Sequence, residues 1–591
     1  MTKAPQYNRP DFKRAANEFI TESVKRVQMA YGEMSIFDKA TIEFPTATGK
    51  TRIIQCDLLR YLPNHNLDVF CIASHRLMLN VQHIKSLLKV LKHALPHVAF
   101  VFVGTQRIDF AGITQSDESL KRDIGKILVE YNEGLDDKDK VIPNELVSQT
   151  CSVKELVRIV DNHKAHGRDV IIISTYHSLD KLKDVHLHTI YCDEAHMIAG
   201  PKQNEFFKAF KTLSFDRSYF FTGTPKEAKI PRGNSLLEST EEIAAREFDA
   251  LMDNKEIFGE RIKLSIKEAI DENLIVQPIW HVLYPGDHKE VDRSSDLSAR
   301  AKMVKQCFIS HSKWLKEVTA DPNKIAAKLL VNCKGVEDIW QLEKETREKF
   351  GAHEGKKIRV FAIASAGSGE DDDTCMMVDG NPVYSRIEFL ERLNDLADTE
   401  YAIVFHFNVL TEGIDVPSMT GVVFLTHGLP TIIKTLQTIG RATRLHPEDR
   451  KRLFGLGVAG KERMSFADRD TKWIKPYCAV MIPVLGEDSD SVSVWMKAMI
   501  PVLAESVDFE NELRFEFGED VAIGKRIFED PNELRTGLEP AKAKALLEIA
   551  EIREEIQKIR NAEEELRLDE EIKKLYVCGI NIDKIINYAK R

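Results

Sequence analysis

Pro45-Thr46-Ala47-Thr48-Gly49-Lys50-Thr51 decides the reading of this chain. Residues 39–44 before it have the apolar pattern of a short strand, and residues 52–62 after it that of a helix. A strand, a loop ending in Gly-Lys-Thr and a helix together make a phosphate cradle. Backbone N–H groups of the loop and of the helix N-terminus face the anion. Lys50 reaches the β and γ phosphates and the Thr51 hydroxyl ligates Mg²⁺. The full loop pattern has glycine at position 44, where this chain has Phe. Taken alone the stretch is also compatible with an ordinary strand-to-helix turn, so its partners downstream matter.

Those partners recur at the ends of apolar runs. Residues 67–73 end in Ser74-His75-Arg76, residues 169–173 in Ser174-Thr175-Tyr176, and residues 188–192 in Asp193-Glu194-Ala195-His196. Residues 217–221 end in Thr222-Gly223-Thr224-Pro225. Apolar strands alternating with helices predict a parallel sheet covered on both faces. Ligands of such sheets sit at the carboxyl ends of the strands, where these polar motifs fall. Residues 108–152 are polar and charged, with Leu128-Val129 and Val141-Ile142 as short apolar anchors, and read as an insertion. Residues 226–320 break the rhythm and read as a charged, largely helical connector. The rhythm resumes with strands at 326–333, 358–363, 401–405 and 421–425, and again at 475–484. Residues 539–575 are helical and charged, with Ile549, Ile552, Ile556 and Ile559 forming an apolar seam.

Bulk properties bound the classes. A chain of 591 residues exceeds one hydrophobic core and implies three or four units. A net charge of −10 neither supports nor excludes nucleic acid, because basic residues can still line one groove. Nine cysteines without a C-x-x-C pair argue against a zinc site and a disulfide framework. Cys71, Cys192 and Cys333 lie in apolar runs and read as small buried hydrophobes. With no signal peptide and no long apolar run, a cytoplasmic location is expected.

The chemistry follows from carboxylates and arginines. Asp193-Glu194 ends a buried strand, as a metal-holding carboxylate and a water-activating carboxylate must. Gln437-Thr438-Ile439-Gly440-Arg441-Ala442-Thr443-Arg444 places two arginines three apart, on one face of a helix. Lying far from Lys50 in the chain, they suit guanidinium groups supplied to a γ-phosphate from across a cleft.

In this order the motifs resemble those of superfamily 2 helicases and translocases. The match comprises Phe-Pro-Thr-Ala-Thr-Gly-Lys-Thr at 44–51, Ser-His-Arg at 74–76, Ser-Thr-Tyr-His-Ser-Leu at 174–179 and Asp-Glu-Ala-His at 193–196. It continues with Thr-Gly-Thr-Pro at 222–225, Thr-Glu-Gly-Ile-Asp-Val-Pro at 411–417 and Gln-Thr-Ile-Gly-Arg-Ala-Thr-Arg at 437–444. The 411–417 stretch, with Ile257-Phe258-Gly259-Glu260 and Glu268-Ala269-Ile270, is similar to the DNA-translocase branch, which includes motor subunits of type I and type III restriction enzymes and phage recombination helicases. The resemblance implies two RecA-like α/β lobes: lobe 1 over 1–230, the helical connector over 231–320, lobe 2 over 321–455, and a mixed, mainly helical accessory region over 456–591.

It also implies roles. Pro45, Thr46, Ala47, Thr48, Gly49, Lys50 and Thr51 hold the nucleotide, with Gly413 and Asp415 facing both nucleotide and nucleic acid. Thr51 and Asp193 hold Mg²⁺, and Glu194 activates water. Gln437, Arg441 and Arg444 meet the γ-phosphate. His196, Thr222 and Thr224 couple hydrolysis to movement, while Arg76 and Thr175 touch a nucleic-acid backbone. The family's adenine-reading segment, Arg-Pro-x-Gln, has its counterpart at Arg9-Pro10-Asp11, where Phe12 replaces the glutamine. The expected activity is ATP-driven helicase or translocase action, on DNA ahead of RNA, by a monomer without membrane contact. The alternatives are a motor subunit working with a separate nuclease or recognition subunit, and an ATP-gated DNA clamp. Glu571-Ile572-Lys573 is the best fragment of a nuclease triad and reads as solvated helix surface.

Overall fold

The computed structural model describes residues 9–75, 84, 87–104, 113–133, 140–199, 204–225, 251–252, 254–284, 297–333, 335–364, 376–383, 386–407, 419–425, 432–454, 468–483, 513–517, 520–523, 558 and 561. Arg76, Gly413, Asp415 and the isoleucine seam lie outside them.

The first sheet comprises β1 (Lys39–Glu43), β2 (Val69–Ser74), β3 (Val98–Val103), β4 (Val147–Thr150), β5 (Asp169–Thr175), β6 (His186–Asp193), β7 (Ser214–Thr222) and β8 (Glu260–Lys263). Its order is β4-β3-β5-β2-β6-β7-β1-β8, with every pair parallel. Side chains alternate across a strand. Phe70 and Ile72 of β2 enter one core, while Val69, Cys71 and Ala73 enter another. Both faces are therefore buried, and that is why the strands read as unbroken apolar runs.

The second sheet comprises β9 (Gln277–Tyr284), β10 (Lys328–Asn332), β11 (Ala352–His353), β12 (Lys356–Ala364), β13 (Met376–Val378), β14 (Asn381–Pro382), β15 (Tyr401–Phe407), β16 (Gly421–Phe424), β17 (Tyr477–Pro483), β18 (Leu513–Phe517) and β19 (Asp520–Ile523). It runs β14-β13-β12-β15-β10-β16-β17-β9-β18-β19, with β11 on β12. The strands from β12 to β18 along this path are parallel and the margins antiparallel. Helices Leu297–Val318 and Val336–Lys349 bury Phe308, Trp314, Ile339 and Leu342 against it. Two RecA-like α/β lobes result.

Three stretches differ from the sequence reading. The 231–320 stretch contributes β8 to the first sheet and β9 to the second, so it is a strand-bearing strap as well as helical. The 108–152 stretch forms the helix Ile113–Asn132, whose Leu120, Ile124 and Leu128 enter the lobe-1 core, and then β4 at the sheet margin. Of its expected anchors, Leu128 and Val141 are buried, whereas Val129 and Ile142 are exposed. Beyond residue 455, β17 pairs with both β16 and β9 and belongs to the second sheet. Cys71, Cys192 and Cys333 are buried free thiols. No described helix is long and apolar enough to cross a membrane.

Candidate nucleotide site between the two sheets

Register brings the first half of the site together. Glu43 of β1 lies opposite Thr222 of β7, and Asp193 of β6 lies opposite Phe221. The phosphate loop, Asp193-Glu194 and Thr222-Gly223-Thr224 therefore leave the sheet at one level and one edge. The loop has its own internal geometry. Thr48 Oγ1 donates to Pro45 O at 2.6 Å. Ala47 and Gly49 take left-handed backbone angles, φ 70° and φ 104°. A Cβ on Gly49 would stand 2.8 Å from Val27 Cγ2, so glycine is needed there for space as well as for backbone conformation.

Helix Lys50–Tyr61 starts at that glycine. Lys50 Nζ donates to Phe44 O at 2.9 Å and Pro45 O at 3.2 Å. Burial lowers the Lys50 pKa, Glu194 and Asp193 oppose that, and Arg441 of the other lobe lowers it further. Thr51 is exposed at the helix start. Asp57, further along the helix, is fully buried and accepts from Tyr191 Oη of β6 at 2.7 Å. This bond fastens the phosphate-loop helix to the strand that presents Asp193.

Glu194 has a left-handed backbone, φ 54°, and its N–H donates to Asp193 Oδ1 at 3.1 Å. Tyr176 Oη donates to Asp193 O at 2.5 Å. His196 Nδ1 lies 3.5 Å from Glu194 Oε2 and 3.2 Å from Thr222 Oγ1, which in turn accepts from Thr224 N at 3.1 Å. A polar relay thus runs from the water-activating candidate to the β7 motif. Gly223 backs directly onto the loop, since a Cβ there would meet Phe44 O at 3.2 Å and Lys50 Nζ at 3.6 Å. Thr175 is half-buried and donates to Ser178 Oγ at 3.4 Å.

The second half comes from helix Ile432–Ala442 of lobe 2. Gly440 lies against the phosphate loop so closely that a Cβ would meet Thr46 Cβ at 2.4 Å. With Gly440 against Thr46 and the Arg441 charge felt at Lys50, the cleft is closed. Gln437 is buried, and neither its Oε1 nor its Nε2 has a hydrogen-bond partner. The helix ends at Ala442, so Arg444 lies just past it rather than on its face as expected. Burial, and then Arg450, lower the Arg444 guanidinium to about 10.

The donor set fits a magnesium nucleotide. It offers a loop turned by left-handed Ala47 and Gly49, the partly buried Lys50, two adjacent carboxylates and the buried, unpartnered Gln437 amide on the helix that carries Arg441. Thr51 and Asp193 would hold the cation, which takes water and phosphate oxygens for its remaining ligands. Among the described residues no cluster of three His, Cys, Asp or Glu forms a separate metal site.

Some contacts here carried no signal in the sequence. Arg52 Nη2 donates to Phe19 O at 2.6 Å and its Nε to Ser23 Oγ at 2.8 Å. The C-terminal end of helix Arg9–Thr21 therefore meets the loop. Arg9-Pro10 stand at the opposite, N-terminal end of this helix. Gln28 follows the Val27 whose Cγ2 lies beside Gly49. Its Nε2 donates to Thr21 O at 2.9 Å and Ser23 O at 2.6 Å. Val276 N, in the strap, donates to Thr443 O at 2.7 Å, and nothing in its sequence signals that.

No family model and no curated protein matches the sequence. Solved structures do. The type ISP restriction-modification enzyme LlaBIII bound to DNA aligns with TM-score 0.52 and 15% identity over 92% of this chain and 32% of that one. The chain shares with it a fold of two RecA-like α/β lobes. The helicase Lhr of Mycobacterium smegmatis, bound to ssDNA and AMP-PNP, aligns with TM-score 0.44 and 13% identity, covering 82% of this chain and 49% of that one. The DUF1998 helicase MrfA, bound to DNA and AMPPNP, aligns with TM-score 0.43 and 12% identity, covering 88% and 55%. At such identities the likeness is one of fold. The chain spans about a third of the length of LlaBIII.

Proposed function

We propose that this chain is an ATP hydrolase that moves along DNA, with hydrolysis in the cleft between its lobes. The observation that carries the reading is the closed cleft: Gly440 stands on Thr46, Arg441 acts on Lys50, and the Gln437 amide is buried without a partner. A buried, unpaired amide costs about 1–3 kcal/mol, which a phosphate oxygen or attacking water would recover. Lys50 and the loop amides bind the β and γ phosphates. Glu194 accepts the proton of the attacking water, held for it by His196 and the Asp193 carboxylate. Arg441 offsets charge that grows on the γ-phosphate oxygens and acts only when the lobes are shut. The relay from Glu194 through His196 to Thr222 and Thr224 carries the state of the nucleotide to the neighbouring strand end. Gln28, oriented by its two carbonyl bonds beside the loop, reads the base. Thr175 and Arg76 meet the backbone of the bound strand, which gives sequence-independent and salt-dependent affinity.

A second reading is a motor module of a larger restriction assembly, favoured by the alignment that takes in nearly all of this chain and a third of LlaBIII. Co-purification of a nuclease or recognition subunit would separate it from a stand-alone motor. ATP turnover with single-stranded, duplex and forked DNA and with RNA tests the reading itself. DNA should stimulate turnover. Binding of ATP without turnover on any ligand would leave only a clamp.

A further inference from the structure

A helix ends with carbonyls that have no partner in the helix. The arginine helix ends at Ala442, and three successive carbonyls there are all captured from outside. Val276 N takes Thr443 O at 2.7 Å. Lys475 Nζ takes Ala442 O at 2.7 Å and Arg444 O at 2.7 Å, and its third bond goes to Met419 O at 2.6 Å. An ammonium has three N–H donors, and here each is used. Lys475 is 1% exposed. Its backbone is fixed in turn: the buried Asp449 accepts from Ile474 N at 3.0 Å and from Lys475 N at 2.9 Å.

A buried charge is a poor way to gain stability, since an apolar side chain of similar volume often serves a core as well or better. A charge that instead gathers three carbonyls fixes geometry. In sequence Met419 follows the 411–417 motif by two residues, and Ala442 and Arg444 flank the end of the arginine helix. We propose that Lys475 is a positioning residue for phosphoryl transfer: its ammonium fixes the end of the arginine helix against Met419, and thereby the place at which Arg441 enters the cleft. The proposal rests on the ATPase reading above.

The ammonium is also sensitive to pH. Burial lowers its pKa to about 8, Arg444 and Lys328 push the same way, and Cys478 and Asp449 oppose them. His311, which burial lowers to about 3 and so keeps neutral here, and the Asp398 carboxylate complete the titratable surroundings. Below about 8 the clamp has three donors. Above it, a neutral amine has two N–H groups for three carbonyls, so the clamp loosens as pH rises. Lys50, also lowered by burial, would give an alkaline loss of its own. Lys50 binds the nucleotide, so its loss appears in KM. Loss of Lys475 appears in kcat.

The test uses the full chain and its Lys475→Met variant, with three readouts. Backbone amide exchange over residues 438–446 should quicken about tenfold in the variant, as expected when a helix end frays. DNA-stimulated kcat should fall by about 10- to 100-fold, the cost of a catalytic group displaced by about 1 Å, with ATP affinity within about threefold of the parent. The parent's kcat should decline above about pH 8, whatever alkaline rise Lys50 brings to KM, and this kcat limb should be absent in the variant. Unchanged exchange together with unchanged kcat would overturn the proposal. If Lys475→Met does not fold, the parent's profile decides, and a kcat flat through about pH 9 overturns it. If the parent binds ATP but never hydrolyses it, the functional reading fails, and the exchange experiment alone decides the role of Lys475.

Discussion

The two halves of the site are held in different ways. In lobe 1 the chemistry sits within a few residues of strand ends, and its supports are local. The phosphate loop leaves β1, Asp193-Glu194 leaves β6, and Thr222 leaves β7, at one level of one parallel sheet. In lobe 2 the arginine helix is held at its far end by partners more than thirty residues away on either side in sequence, Val276 and Lys475. The first half is prebuilt by the sheet. The second comes from the other lobe, and in the proposed cycle its backbone clamps and the smallness of Gly440 set where it meets the first. Ground-state nucleotide binding should therefore belong to lobe 1 and acceleration to lobe 2.

Changes in the prebuilt half should have the largest effects. Lys50→Ala removes the fixed counter-charge for the phosphates, so both ATP binding and turnover should be lost. Glu194→Gln keeps the shape but cannot accept a proton. Turnover should fall by about 10²- to 10⁴-fold, the usual worth of a general base, while ATP still binds. Equilibrium binding and steady-state turnover on the same samples check both. ATP capture surviving in Lys50→Ala would break the division between the halves.

Gly440→Ala probes the approach of the second half. A Cβ at 2.4 Å from Thr46 Cβ cannot be accommodated without moving the helix or the loop. Overpacking of about 1–3 kcal/mol corresponds to about 5- to 150-fold in turnover. ATP affinity should stay near that of the parent, because the loop itself is untouched. Adding Thr46→Gly, which removes the clashing atom, should restore part of the lost rate. A double-mutant cycle measures that coupling, and strict additivity would mean that the two residues do not meet in the working cycle.

The smallest effect concerns a support inside lobe 1. Burial raises Asp57 to about 6, against the lowering influence of the Tyr191 bond. Its folded pKa is above its unfolded value of about 3.9, so its contribution to stability is full below that value and declines as pH rises towards about 6. A shift of about two units is worth about 3 kcal/mol in a fully buried group. Asp57→Asn should remove this slope between about pH 4 and pH 6 and be less destabilising at neutral pH than at pH 4, as read by thermal melting. An unchanged slope would place the titration elsewhere.

Much of this site could be read from the chain, for a physical reason. Motifs of lobe 1 are short because each is one strand end and its turn, so each can be read within a few consecutive residues, and the parallel sheet brings them together. The strands missed at Glu260–Lys263 and Gln277–Tyr284 carry weak signals: Ile262 is the sole apolar residue of the first, and Pro278 interrupts the second. Both still pair, because the sheets already present a parallel partner, β1 for one and β17 for the other. The role of Gly440 was hidden inside a recognised motif, since a missing side chain is informative only once its neighbour across the cleft is known. Lys475 in Trp473-Ile474-Lys475-Pro476 and Val276 in the strap give no pattern at all, because what they recognise is backbone. Phe12 stands where the family's adenine-reading glutamine would fall, and the two carbonyl bonds that orient Gln28 become legible only in the fold.

The measurement that tests the account most directly is ATP affinity and DNA-dependent turnover for Arg441→Ala on one preparation. Arg441 belongs to the second lobe, next to the Gly440 that stands on Thr46, and under the proposed mechanism it meets the phosphates only in this closed arrangement. ATP affinity should change little, turnover should fall by about 10³-fold or more as when other arginine fingers are removed, and DNA should no longer stimulate what remains. A collapse in ATP affinity, with residual turnover still stimulated by DNA, would make Arg441 a ground-state ligand and contradict a site completed by closure.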